Sequence, residues 1–152
     1  MDERICYFFS FLIEGLVFWN YVSILFVPKY STKIRFVCLS SGFFILFLSS
    51  LHNVFLLNCI LYTTVCFLYL IFLYKTSWYY ALFHSLLFEV LTGACELPVY
   101  SFLSTFLTSA SLRAADFHLK LLFAVMSKTL FFAVMSVLLL WLKKRQKPFL
   151  QY

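Results

Sequence analysis

The chain has 152 residues, 64% of them hydrophobic and 12% charged, with a formal net charge of +6. A typical soluble domain is about a quarter charged, so this composition excludes a soluble globular fold and indicates an all-α integral membrane protein. Phe contributes 21 residues and Gly only 3, which predicts bulky aromatic helices meeting through side-chain packing and polar pairs rather than glycine seams.

Apolar runs of about 20 residues, the length needed to cross a bilayer, recur along the chain. They predict five transmembrane helices: Ile5–Val27, Ile34–Leu51, Val54–Leu73, Tyr79–Phe106 and Phe117–Leu142. The first run opens on Asp2, Glu3 and Arg4 and carries Glu14 inside it. Without a positively charged start or a small-residue cleavage site it reads as a retained helix and not as a signal peptide. Pro28 stops it, and Lys29, Lys33 and Arg35 follow. Helices two and three are separated only by His52 and Asn53, a tight hairpin. YKTSW joins helices three and four, and TSASLRAAD joins four and five.

Loops rich in Lys and Arg stay in the cytoplasm. Lys29, Lys33, Arg35, Lys75, Lys143, Lys144, Arg145 and Lys147 fall on one side, against Arg4 and Arg113 on the other. The expectation is a polytopic helical bundle with its N-terminus outside and its C-terminus inside, a multi-pass cell-membrane protein. Residues 1–147 form the membrane domain and 148–152 a cytoplasmic tail. The positive charge is a topology signal, and with no soluble basic face a nucleic-acid partner is not expected.

Charges inside the spans are costly and point to function or to pairing. Counted from the outer ends at about 1.5 Å per residue, Glu14, Glu96 and Lys128 fall at nearly one level. A lysine between carboxylates lowers the cost of burying each, so a Glu96–Lys128 pair is expected, with Glu14 as a candidate third member. Glu89 lies seven residues before Glu96, on the same helical face two turns away. It has no cationic partner at its own depth, and either carries a proton or faces a water-filled cleft with Ser85, Thr92 and His84. Gly93 and Pro98 mark helix four as a candidate hinge, with a backbone carbonyl freed near Ala94. Structural glue, ligand binding and an ion or proton path all remain open for these charges.

Cys6, Cys38, Cys59, Cys66 and Cys95 show no CxxC spacing and read as small apolar residues. His52 and His118 near the outer surface make half of a metal site at most, so no metal or other cofactor is expected. No HExxH, GxSxG or phosphate-cradling glycine loop is present. Ser101 or Ser104 beside His118 is a poor approach to an intramembrane hydrolase, and enzymatic activity is not expected.

The runs VPKYSTKIR, SLHNVFLLN and FLYKTSWYYALFHSLLFEVLTGACELPVYSFLS, chiefly the W-x-x-ALFH start of helix four and the Glu-x-Pro at Glu96 to Pro98, resemble the N-terminal membrane region of Firmicutes sensor histidine kinases of the GHKL type. These are similar to the peptide-pheromone receptors of Agr-like systems. The resemblance covers nearly the whole chain. It implies a sensor module that feels an extracellular signal, a peptide above all, and passes a helix movement across the bilayer. Family members continue into a dimerisation segment and an ATP-binding kinase domain, whereas this sequence stops at KKRQKPFLQY, so kinase catalysis is not expected of it. A homodimer and a separate kinase or partner subunit are the candidate assemblies.

On this reading a ligand meets the outer ends of helices four and five, with Arg113, Asp116 and His118 as polar contacts, and helix five relays movement toward Lys143. An ordinary solvated loop is the simpler account of Arg113 and Asp116. The alternative function is a small membrane transport component in which Glu89, Glu96 and Lys128 line a polar path. A third is a structural partner of a larger membrane complex.

Overall fold

The structure, a computed structural model, describes residues 2–50, 55–106 and 117–145. Its described residues are helical apart from two short connections. The helices are α1 (Asp2–Leu25), α2 (Thr32–Ser50), α3 (Phe55–Leu73), α4 (Trp78–Phe106) and α5 (Phe117–Arg145). All five are long and apolar enough to cross a membrane, as a multi-pass membrane protein requires. A lipid environment leaves backbone N–H and C=O groups no outside partner, so long uninterrupted helices are the form these apolar runs must take. The predicted helices are all present, with ends displaced by three residues or fewer. The His52–Asn53 hairpin and the Arg113–Asp116 loop lie outside the described residues.

Each helix packs on its neighbours in sequence, and α5 returns to α1, closing a ring. Contacts between α2 and α3 run in antiparallel order. Ser49 Oγ meets Asn58 Oδ1 at 2.8 Å near one end, and Arg35 reaches Tyr74 near the other. Between them the Phe43 and Tyr62 rings pack 5.9 Å apart. Gly42 sits along the same seam, where an added Cβ would come within 2.8 Å of Val65 Cγ1. The bulky sequence thus contains one point of close helix approach that its composition did not predict.

The ring is filled with aromatic side chains. Phe88 of α4 is fully buried at its centre, edge-on to Phe18 of α1 at 4.9 Å and to Phe131 of α5 at 5.4 Å. It stacks on Tyr62 of α3 at 6.3 Å. Lipid tails are as apolar as these side chains, so the bundle is held by packing and polar contacts and not by hydrophobic transfer. Edge-to-face pairs each add about 0.5–1.5 kcal/mol beyond area. The outer surface carries exposed Phe9, Leu16, Val37, Phe44, Leu56, Phe72, Val90 and Leu140, the composition expected of a face turned to lipid.

One end of the bundle is tied by backbone. Lys29 N–H donates to Leu73 O and Lys75 N–H to Val27 O, both at 2.9 Å, forming an antiparallel bridge between Pro28 and Tyr74. The Lys29 ammonium also donates to Ile71 O at 2.8 Å. The α1–α2 and α3–α4 connections therefore share an end, and Lys29, Lys33 and Lys75 lie there together. The up-and-down course of the helices brings Lys143 and Lys144 to that end too.

Candidate functional site: a buried lysine between two carboxylates

Glu14, Glu96 and Lys128 come together midway along the bundle. Lys128 of α5 donates to Glu96 Oε1 of α4 at 2.5 Å and is ion-paired with Glu14 Oε1 of α1. One ammonium thus joins three helices. Glu14 and Lys128 are each only 4% exposed, whereas the Glu96 side chain is 41% exposed. The expected Glu96–Lys128 pair is present, and Glu14 is its more deeply buried member. Two carboxylates face one ammonium, so the site carries an excess of carboxylate. The described residues of the spans place no second cation against it.

Sequence periodicity places these groups at one level, and packing brings them into contact. Glu14 precedes Val17, Phe18, Tyr21 and Val22, which form the buried face of α1. Lys128 adjoins Ser127 and lies one turn before Phe131 on the buried face of α5. The Tyr62 hydroxyl ends against Glu14 and Thr92 and is buried without a hydrogen bond of ordinary geometry.

Glu89 occupies a second polar position on the same flank of α4. Its partner is Thr63 of α3, whose hydroxyl donates to Glu89 Oε2, and the Cys59 thiol lies within hydrogen-bonding reach. The three side chains expected near Glu89 each have a hydrogen-bond partner of their own. Ser85 is buried and donates to Ala81 O at 2.7 Å. Thr92 donates to Phe88 O at 3.0 Å, and His84 Nδ1 meets the Tyr21 hydroxyl of α1 at 2.6 Å. Ser85 and Thr92 thus bond to their own helix, with Thr92 also against Tyr62 of α3, and His84 bonds to α1.

Helix α4 runs without interruption through Gly93 and Pro98. The proline lacks an N–H, so the Ala94 carbonyl has no ordinary helical donor. A Cβ built on Gly93 meets no atom within 4 Å, so this glycine borders open space. Of the outer contacts, Arg113 and Asp116 lie outside the described residues, as does the His118 side chain. Ser104 is exposed and its hydroxyl donates to Ser101 O at 2.7 Å, within its own helix. Cys38, Cys59, Cys66 and Cys95 are free thiols.

A polar cluster around Arg35 was not anticipated. Counted from sequence as a surface charge, Arg35 is instead 8% exposed in the first turn of α2. It donates to the Tyr74 hydroxyl at 2.8 Å and to Thr32 Oγ1 at 3.3 Å, and lies 5.0 Å from the Trp19 ring centre. Its backbone carbonyl accepts from the Tyr69 hydroxyl.

Comparison with protein-family models, curated proteins and solved structures finds no match. The functional reading therefore rests on this chain's own residues.

Proposed function

We propose that this protein is the membrane-embedded receptor module of a bacterial signalling system of the two-component or quorum-sensing kind. It binds an extracellular signal, a peptide in the leading case, and relays helix movement across the bilayer. The observation that carries the reading is the unequal burial of the Glu14–Lys128–Glu96 site. Its Glu14–Lys128 half is sealed, while Glu96 is open enough for a ligand to compete for it. Any ligand that draws Glu96 from Lys128 shifts α4 against α1 and α5, because one ammonium holds all three helices. Such a ligand acts only through different affinity for the two arrangements. Movement of α5 ends at Lys143 and Lys144, at the basic end, which the reading places in the cytoplasm with the N-terminus outside.

The test is photo-crosslinking of the detergent-solubilised chain to secreted peptides of the source culture, beside Glu96→Gln and Lys128→Met. Specific labelling that disappears in either variant supports the receptor. Absence of labelling in a folded, monodisperse sample overturns it and favours the transport component. The observation favouring transport is that Glu89 and Glu96 occupy one row of α4, as a polar path requires.

A further inference from the structure

The acidic residues of the chain are Asp2, Glu3, Glu14, Glu89, Glu96 and Asp116, so the sequence from Gly15 to Phe88 contains no carboxylate side chain. That stretch includes both connections at the basic end of the bundle. Lys29, Lys33 and Lys75 are exposed there, and Arg35 is buried at 8% exposure. A guanidinium taken out of water needs a countercharge to offset its desolvation. Arg35 has none among the described residues: it donates to the neutral hydroxyls of Tyr74 and Thr32, and the other groups against it are the rings of Trp19 and Tyr74. Its Nε is buried without an acceptor. The first turn of α2, which carries Arg35, has no acidic residue, and the free N–H groups of a helix N-terminus add partial positive charge.

The depth of that end in a bilayer selects the anion it can meet. Tyr30, Trp78, Tyr79 and Tyr80 are exposed at the same end, and amphipathic rings of this kind settle at the headgroup level of a membrane. Lipid phosphates lie at that level too. In a zwitterionic lipid the phosphate charge is cancelled by the headgroup's own amine, whereas an anionic lipid brings a net negative charge that can compensate the protein.

We propose that the basic end binds the headgroup of an anionic phospholipid, its phosphate facing the first turn of α2 and held by Arg35 together with Lys33 and Lys75. A guanidinium suits a phosphate through its planar fork of donors, and the two lysines add charge at the membrane surface. The backbone bridge between Pro28 and Tyr74 keeps the two connections, and so the two lysines, at one place before the lipid arrives. Such a site stands independently of the receptor reading.

Native mass spectrometry of the full chain in dodecyl maltoside tests this, with dioleoylphosphatidylglycerol as the probe and dioleoylphosphatidylcholine as its zwitterionic control. The first phosphatidylglycerol should bind at least roughly twentyfold tighter than phosphatidylcholine. Arg35→Gln should weaken phosphatidylglycerol at least roughly tenfold, because it removes both the buried charge and its fork of donors. Lys33→Gln and Lys75→Gln should each weaken it roughly fivefold. Both of those side chains are exposed, so these two variants carry the decision if Arg35→Gln fails to fold, and unchanged affinity in both overturns the site. Lys144→Gln removes a charge at the same end on α5 and should change affinity by less than about twofold, since a separate surface charge is screened. Equal affinity for the two lipids overturns the site. Equal losses from Lys144→Gln and from the α2 variants would replace it with diffuse surface attraction, and displacement of the lipid by inorganic phosphate would make it a site for a free anion; either result overturns the lipid assignment.

Discussion

The Arg35 guanidinium donates a 2.8 Å hydrogen bond to the Tyr74 hydroxyl, joining the first turn of α2 to the residue that follows α3. Tyr74 is also the backbone partner of Pro28, and Trp19 of α1 lies under the same guanidinium. One side chain therefore ties three helices at the basic end. Tyr74→Phe keeps the ring and removes the acceptor. It should cost about 1–2 kcal/mol, within the range for a hydrogen bond to a charged donor. Arg35→Lys should cost more, because an ammonium reproduces neither the fork nor the stacking. Equilibrium unfolding in bicelles measures both, and a neutral Tyr74→Phe would show that the contact carries no stability.

The three-residue charge site makes a prediction of rank. Lys128→Met leaves Glu14 buried and unpaired, a change that costs about 3–5 kcal/mol in other buried pairs. Glu96→Gln removes the half-open partner and should cost no more than about 1 kcal/mol. Adding Glu14→Gln to Lys128→Met should recover much of the loss, since no isolated buried charge remains. The same unfolding experiment ranks the variants. Equal loss from Glu96→Gln and Lys128→Met would contradict the unequal burial.

Two glycines should respond in opposite directions to alanine. Gly42→Ala drives a methyl to within 2.8 Å of Val65 Cγ1, and overpacking of this kind costs about 1–3 kcal/mol. Val65→Ala should relieve it, which a double-mutant cycle would register as coupling. Gly93→Ala meets open space and removes a glycine from a helix interior, so stability should rise by up to about 1 kcal/mol. A loss of stability at Gly93→Ala would mean that the space beside Gly93 is filled in the folded protein.

Pro98 tests whether α4 moves. Pro98→Ala restores a donor for the Ala94 carbonyl and should stabilise the helix. If α4 bends in signalling, the same variant should weaken the response to ligand, read as crosslinking or as output of a coupled kinase. A more stable protein with an undiminished response would remove the hinge from the mechanism.

Orientation is tested with reporters. The bridge between Pro28 and Tyr74 sets Lys29, Lys33 and Lys75 at one end, so they vote together for one compartment. A green fluorescent protein fused after Tyr152 should fluoresce, whereas alkaline phosphatase at the same point should stay inactive. Active phosphatase there would invert the bundle.

Much of this bundle was legible in its residues, and what was legible shares a physical origin. The length of an apolar run is a local quantity, and lipid forces such a run to satisfy its backbone as a helix, so five spans and their approximate ends followed directly. Depth along a helix is also local, which is why Glu14, Glu96 and Lys128 could be placed at one level before any contact was known. Partner choice is different, because it depends on how each helix is rotated and which helix stands beside it. The return of α5 to α1 is what seals Glu14 and Lys128 together and leaves Glu96 open. The rotation of α3 against α4 supplies Thr63 to Glu89, and the approach of α1 supplies Tyr21 to His84. Arg35 reads as a surface charge in any count of loops, and only the packing of α1, α2 and α3 shows that aromatic rings enclose it. Levels and lengths belong to single helices, whereas burial and pairing belong to helices in contact, and only the tertiary structure could decide them.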